Sequence, residues 1–563
     1  MAFVGVSIGL PPPECGITER IGERFRLSAR ALLRKGFTHS QSMARPDSDK
    51  ARVAERKEWD TCVKAKAFDI VPFVAGMEVF DSKFLNTIHP VTGEHSSRFL
   101  GRGDQQGKGS YDPRQISAEV VESLSVRVGQ AYAANKPGYK SVDVDYSRAF
   151  LQAALGTAAP RPIYLKAPDG MGVPSGSVLL MHQALYGLLQ SPHAWGKVLD
   201  GEMKHLNLVA VSWDPKAFVL KTLSGMLFAF WHVDDGKIIG PSADVDRIVA
   251  ELGSRYRITV KEASVKFCGI DYAFRSFDQA YFRHMTSKIE ALVAGCIASG
   301  VPLEGRSCPR SPMVEGTEVF LEILGDKRFP AANDRWYRWA IGLSIWIAHE
   351  GRLDISSAIR ILSHATGCNL PAHDRALVHM ILYLKGTASY GLPYGTHCEA
   401  EPRLVLFADA SLANLPGAKS ANGLLFKYNN CVVLHEASTQ SCVAMDTAES
   451  EYVTVSTGAR KAMGILNMLS GMGISHPRPV LVYEDNTSAI DMVKSPYIKR
   501  GARHIDIRVN KIRELHAQGL IEIVHISSAK QEADGLTKIL SPVMFEAWRA
   551  STGMCSLADF KQS

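Results

Sequence analysis

The stretch FWHVDDG, Phe230 to Gly236, ends an apolar run on two adjacent carboxylates. An apolar run that stops in acid reads as a strand whose end is half out of water. Ionising two neighbouring carboxyls there is costly unless a cation compensates. Asp-Asp alone reads better as an acidic hairpin turn, so its surroundings decide. In SVDVDYSRAFLQAAL, 89 residues earlier, Val142 and Val144 face one way and Asp143 and Asp145 the other, the period-two signature of a strand, before a helix-like SRAFLQAAL. LYGLLQSP lies between the two acidic strand ends. Asp145, Asp234 and Asp235 would then be a ligand set for Mg2+, which takes carboxylate and phosphate oxygens. Paired ions ~3.5–4 Å apart suit phosphoryl transfer.

Working outward, LLMHQALYGLLQSPHAWGKVLDGEMKHL reads as a second helical segment. Ala217 to Leu220 and Met226 to Val233 read as strands turned at Leu223-Ser224-Gly225. Strand, helix, strand, strand is most of a split βαβ sheet. From about Asp244 to Gly391 the pattern is mostly helical. SYGLPYGTHCEAEP then separates it from RLVLFAD, the clearest domain boundary. Beyond it come a hairpin turned at Asn429-Asn430, a long helix opened by a capping box at Asp446, and an alternation of strands and helices through IEIVHIS. A second acidic set appears there. Asp409 ends RLVLFAD, Glu449 and Glu451 lie in the helix DTAESEY, Asp485 ends PVLVYED, and Asp534 lies in KQEADGLTK. Carboxylates on four separate elements make a plausible two-metal nuclease site.

Length and composition set the outer bounds. The chain has 563 residues, 46% hydrophobic and 21% charged, which argues for several folded domains over most of its length. Its longest apolar stretches, such as Gly225 to Trp231, fall far below the ~20 residues that cross a bilayer. MAFVGVSIGLPPPE lacks a positive n-region and does not read as a signal peptide. The 10 cysteines have no C-x-x-C pair, which reads as reduced intracellular thiols. A net charge of +7 is mild, but between Thr18 and Lys66 there are 13 Lys and Arg against 7 Asp and Glu, including RFRLSARALLRK. That segment is either a solvated basic helix or a phosphate contact.

Taken together, these motifs resemble the reverse transcriptase and ribonuclease H portion of copia-type LTR-retrotransposon polyproteins, over roughly Glu58 to Leu540. RFLGRGDQQGKGSYDP resembles the fingers segment ARLVARGFQQ-x-x-G-x-DY. DYSRAFLQA is similar to DVKTAFLNG, QALYGLLQSPHAW to SLYGLKQSPRAW, and HVDDG to YVDDM. KFCGIDY, YRWAIGLSIWIAHEGRLDISSAIRILSHA and ILYLKGTASYGLPY resemble later elements, up to the helical segment between polymerase and nuclease. The second acidic set resembles DADWAG, STTEAEY, DNQSAI and Q-x-AD-x-LTK.

The resemblance implies a multidomain α/β and α+β chain. A right-hand polymerase with fingers, a split βαβ palm and a thumb would be followed by an RNase H-like mixed α/β domain. The expected divisions are a basic, Pro-containing extension at 1–55 without a core of its own, fingers and palm at 56–245, thumb and helical connection at 246–390, RNase H-like domain at 400–542, and a tail at 543–563. Asp145, Asp234 and Asp235 would hold two Mg2+ ions, with Asp145 favoured over Asp143 because it places Ala-Phe at the family's offset. Asp409, Glu451, Asp485 and Asp534 would hold two more, with Glu451 chosen over the capping Glu449; Mn2+ could serve at either site. Arg98 resembles the arginine that clamps triphosphate oxygens, although Ser96 stands where a Lys is expected. Phe150 falls where an aromatic ring screens the 2′-hydroxyl, unless it is simply a core Phe. Tyr186, Gly187 and Gln190 fall in the segment that touches nucleotide and template. His525 would assist product release or end a strand, and His504 and Asp506 would be structural or face substrate.

The expected partners are an RNA template, a DNA primer, their hybrid, dNTPs and other retroelement proteins, with no membrane. The expected location is intracellular, in cytoplasmic virus-like particles or the nucleus. Departures from the family are His232 in place of Tyr, Ser411 in place of Trp and Asp104 in place of Phe. The rivals are a relic that binds nucleic acid without copying it, and a nuclease with a structural polymerase half. The absence of a protease-like or integrase motif suggests a C-terminal part of a longer element, or a separate reading frame.

Overall fold

The computed structural model describes residues 37–562 apart from 89–91, 108, 157–158, 160, 263–264, 276–277, 318–334, 397, 400, 416, 477–478 and 495–505, and the side chains of 506–510. RFRLSARALLRK and His504 lie outside the described residues, as does the side chain of Asp506.

A six-stranded antiparallel sheet stands where the palm is expected. Its order is Ile258–Glu262, Tyr139–Tyr146, Asp235–Pro241, Gly225–His232, Asp214–Thr222, Val209–Val211. Alternation along these strands sorts their side chains onto two faces. Val142, Val144, Leu227, Ala229, Trp231 and Ile238 join the core built with the helices Ser191–His205 and Ser242–Arg255. Tyr139, Phe228, Phe230 and Ile239 belong to a second core, which runs without a break through the connecting region into the last domain. The segment read as one helix over 179–206 divides instead. Ser177–Met181 is a strand, and the helix begins only at Ser191, with Pro192 in its first turn. SRAFLQAAL makes only the short 3-10 turn Ala149–Gln152, because Arg148 enters it in a left-handed conformation (φ +55) that breaks helical continuity.

The helix Ser48–Lys64 crosses residue 55 and buries Ala51, Ala54, Trp59 and Cys62. Trp59 packs against Phe68 and Phe99, with ring centroids 4.9 and 5.5 Å away. The described part of the expected extension therefore shares the fingers core. The connecting region likewise holds more than helices: Lys266–Phe267, Ile270–Arg275 and Ala280–His284 form a sheet with Tyr390–Tyr394. The expected C-terminal tail supplies that sheet's last strand, Cys555–Ser556, and Phe560 of the following helix is buried against Phe282 at 4.9 Å.

The last domain is a five-stranded mixed sheet in the order Cys431–Thr439, Lys419–Tyr428, Leu404–Leu415, Val480–Glu484, Ile521–His525. The first three are antiparallel and the last two join in parallel. Asn429 and Asn430, both at positive φ, make the two-residue turn expected between the first pair. Asp446 caps the helix Thr447–Gly471 by accepting the Glu449 N–H, while Glu449 reaches back to the Met445 N–H rather than to the cap itself.

A buried ionic triad ties these parts together. Glu350 sits between Arg127 of the helix Ser123–Ala133 and Arg283 of the strand Ala280–His284. Arg127 also donates to the Val433 carbonyl of the last domain at 3.1 Å. Burial pushes the Glu350 carboxyl up, but the two guanidinium groups outweigh it and hold it well below the usual carboxylate range. Glu350→Gln leaves two buried cations without a counter-charge, so it should cost about 3–5 kcal/mol. A denaturation midpoint matching the unaltered chain would remove the triad from the account of how the domains are held.

Candidate active sites

In the palm, Gly225–His232 turns into Asp235–Pro241 through Val233 and Asp234. Val233 has φ +62, a strained conformation for a β-branched residue. Two hydrogen bonds hold it: the Trp195 indole N–H donates to the Val233 carbonyl at 2.7 Å, and the Tyr146 N–H donates to the Asp234 carbonyl at 3.2 Å. Across the register Asp235 stands opposite Asp145, and two residues on Lys237 stands opposite Asp143. The second pair is neutralised, with Lys237 Nζ fully buried and 2.7 Å from Asp143 Oδ1. The first is a like-charge pair. Although the Asp235 side chain reaches solvent, burial of its carboxyl and then the charges of Asp234 and Asp145 push it up to about 6. Asp234 is raised too, by burial and by Asp145, while Arg98 opposes the rise.

Arg98 lies over the Tyr186 ring at 5.0 Å, and Tyr186 meets the edge of Phe150 at 4.7 Å. Burial and then the charge of Asp234 push the Tyr186 phenol up to about 12, which places it beside the acids. Gly187 has φ +86, and a Cβ there would lie 2.3 Å from the Gly101 carbonyl oxygen. Gly101 N–H donates to the Tyr186 carbonyl at 2.9 Å, stitching this loop to the fingers strand His95–Gly101. Gln190 departs from expectation. It is completely buried, accepting from Gln106 at 3.1 Å and donating to the Ser110 carbonyl at 3.3 Å, so its amide is spent inside the fold. Ser96 bonds Thr87 at 2.7 Å, and burial lowers the pKa of His232, which favours its neutral form.

In the last domain Asp409, Glu451 and Asp485 come from a strand, a helix and a strand end. Each offers an oxygen within 4.8 Å of the other two, the only such group of three or more acidic, His or Cys ligands among the described residues. Asp145, Asp234 and Asp235 are not gathered to that spacing; Asp145 and Asp235 are paired in the register and Asp234 stands in the turn. Asp534 also stands apart from the trio, paired with Lys538, whose ammonium lies 4.0 Å from Asp409. Thr537 donates to Asp409, and Ser528 donates to Asp485 at 2.6 Å. The trio lines a cleft of about 350 Å3. His525 is exposed, opposite Glu484 in the register.

Glu484 is the residue that sequence reasoning missed. It is completely buried; Oε1 accepts the Asn486 N–H at 3.0 Å, while Oε2, like Glu451 Oε2, has no hydrogen-bond partner among the described residues. Burial first and like charges second raise Asp409, Glu451 and Glu484 above the carboxylate range. The signal was present as a second acidic doublet at a strand end, Glu484-Asp485. Hard oxygen donors, tightly gathered and with two orphaned oxygens, are what a divalent cation requires.

One sheet thus carries paired acids on a hairpin, and a second sheet with its helix, later in the chain, carries an acidic trio. Residues 66–282 match the family model described as "Reverse transcriptase (RNA-dependent DNA polymerase)". The retrovirus-related Pol polyprotein from transposon TNT 1-94 of Nicotiana tabacum is 23% identical over 535 residues, covering 91% of this chain and 38% of that polyprotein. The one from transposon RE1 of Arabidopsis thaliana is 24% identical over 471 residues, covering 82% of this chain and 30% of the polyprotein. A foamy viral protease-reverse transcriptase in complex with double-stranded DNA superposes with a TM-score of 0.49 at 14% identity, covering 85% of this chain and 70% of that one. The chain is thus similar to copia-type reverse transcriptase segments, and it spans well under half the length of those two curated relatives. Reverse transcriptases and ribonucleases H use divalent metals, and the acidic trio offers the donors for one. Among the described residues no helix is long and apolar enough to cross a membrane.

A carboxyl whose folded-state pKa exceeds its unfolded value contributes stability below ~4 that is lost as pH rises through the folded value. Metal-free protein should therefore lose stability relative to Glu484→Gln between about pH 5 and about pH 8.5, and a divalent cation should restore it. Melting temperatures of both proteins in chelator would show this. A constant difference across the range would mean that Glu484 is not held in the folded state as described.

Proposed function

We propose that the chain is an RNA-directed DNA polymerase with a fused ribonuclease H, acting on RNA/DNA hybrids. The observation that carries this reading is the like-charge pair Asp145–Asp235 facing across the palm register, with Asp234 in the turn above it. A primer 3′-oxygen would attack the α-phosphorus of a dNTP as the bond to pyrophosphate breaks. Asp145, Asp234 and Asp235 would hold divalent ions, Mg2+ or Mn2+, which when bound supply charge neutralisation and oxygen activation. Arg98, anchored on the Tyr186 ring, offers a planar fork to triphosphate oxygens. Phe150 presents its ring where a 2′-hydroxyl would intrude, and Gly187 allows backbone to approach the nucleotide. Positioning and charge stabilisation dominate such a reaction.

At the second site Asp409, Glu451 and Asp485 would hold the ions while Ser528 and Thr537 orient their carboxylates. Asp534 would act from the rim with Lys538, and His525 would stand at the exit. Template RNA, DNA primer and their hybrid would be held through phosphates and shape, so binding should weaken steeply with salt. Such an enzyme would work inside the cell, in cytoplasmic virus-like particles or the nucleus, alongside other retroelement proteins.

Asp235→Asn should cut synthesis on poly(rA)/oligo(dT) by about 100-fold or more, the scale of losing one preorganised charge-stabilising group, and spare RNA cleavage. Asp485→Asn should do the reverse. Loss of both activities in either variant would contradict two separate sites, and binding without extension by the unaltered chain would support a relic.

A further inference from the structure

Neither site absorbs the basic segment near the start of the chain. Within its described part, the helix Ser48–Lys64 turns Arg56, Lys57 and Lys64 toward an open cleft of about 750 Å3 whose other wall carries Arg148 and Arg257. Five cations thus line the cleft against one carboxylate, Asp60, which Arg56 engages at 3.3 Å. Arg148 is aimed rather than loose: its guanidinium donates twice to the buried Glu58 at 2.9 and 3.1 Å. Arg257 is tied to the same loop through its carbonyl, which accepts the Ser147 N–H at 2.9 Å. Lys57, Lys64 and Arg257 are exposed and have no carboxylate partner among the described residues.

Two features select the ligand. The lining holds no aromatic ring, so it offers no platform for stacked bases such as single-strand binding grooves use. The cations converge from two walls, and on the helix wall they extend over roughly 10–12 Å, which suits several linked phosphates better than one. The cleft is linked to the palm acids through Arg148 and its partner Glu58. Arg148 follows Asp145 by three residues, and the Tyr186 phenol feels both Asp145 and Glu58.

We propose that this cleft is a second polyphosphate site, separate from Arg98, that holds either the triphosphate tail of an arriving nucleotide or the pyrophosphate that leaves. Only the source of the polyphosphate rests on the polymerase reading above.

Titration calorimetry of the full chain with inorganic tripolyphosphate, in chelator and at low salt, tests the site without any turnover. Lys57→Ala, Lys64→Ala and Arg257→Ala combined should weaken binding at least about tenfold, the scale of removing several charge-assisted contacts. The melting temperature should not change, and exchanging Lys for Arg and Arg for Lys at these positions should restore affinity. Unchanged tripolyphosphate affinity overturns the proposal. So does a loss confined to a single-stranded oligonucleotide, which would make the cleft a strand groove. In primer extension, weaker inhibition by pyrophosphate identifies the product as occupant, a raised KM for dNTP identifies the nucleotide, and intact extension with neither change overturns the proposal. If the unaltered chain extends nothing, the polymerase reading fails, and the metal-free titration still decides this one.

Discussion

Two carboxylates placed directly opposite each other across antiparallel strands constrain everything around them. Such a like-charge pair is unfavourable by roughly 0.2–1 kcal/mol even when solvated, and burial adds to the cost. The sheet cannot relieve Asp145 and Asp235 by slipping one residue, because the slip would turn Val142, Val144 and Ile238 out of their core and put acid in their place. Alternation of apolar residues on one face therefore fixes the position of the acids on the other. Two residues away the same geometry gives the opposite result, where Lys237 neutralises Asp143 beneath the Phe267 and Tyr272 rings. One face of one strand pair thus holds a structural ion pair and an unneutralised one, and the unneutralised one lies at the turn, where solvent and substrate can reach it.

The last domain meets the same constraint more tightly. Two of its acids, Asp409 and Asp485, lie two residues beyond a paired position of adjacent parallel strands and the third comes from a helix, so register and helix packing together bring them within 4.8 Å. Glu484 adds a fourth carboxyl behind them at complete burial. A cation compensates such a nest where hydrogen bonds cannot, and this is why its orphaned oxygens matter more than its net charge. The two sites share a continuous core and the Arg127–Glu350–Arg283 triad, so each is held relative to the other by buried charge as well as by apolar contact.

Legibility in the sequence followed the range of the interaction. Period-two alternation around Asp145, the Asn429-Asn430 turn and the cap at Asp446 depend on neighbours, and each lies where the pattern put it. The false helix over 179–206 arose because LLMHQALYGLLQ carries helical spacing, whereas Ser177–Met181 pairs with Phe68–Pro72, more than a hundred residues away. SRAFLQAAL failed on one backbone angle, at Arg148, that composition does not disclose. Gln190 sat in a motif whose neighbours face the site, yet its amide is claimed by Gln106 and Ser110, contacts visible only once the fingers fold back. Glu484 escaped because strand alternation assigns it to the buried face, where an acid is not expected.

Position then matters as much as identity at the seam between fingers and palm. Gly101 and Gly187 approach until no Cβ would fit, and the hydrogen bond across that contact fixes the loop that carries Tyr186. Tyr186 in turn supports Arg98 and Phe150, so three side chains from three segments form one contiguous group. On the far side of the same seam, Glu58 anchors Arg148 and leaves the cations of the helix Ser48–Lys64 outward. Because that helix is anchored by Trp59 against Phe68 and Phe99, its exposed charge is held at a fixed distance from the acids. Negative charge concentrated at the hairpin and positive charge concentrated beside it make a field along which a polyphosphate is drawn, and the apolar face of one helix sets its direction.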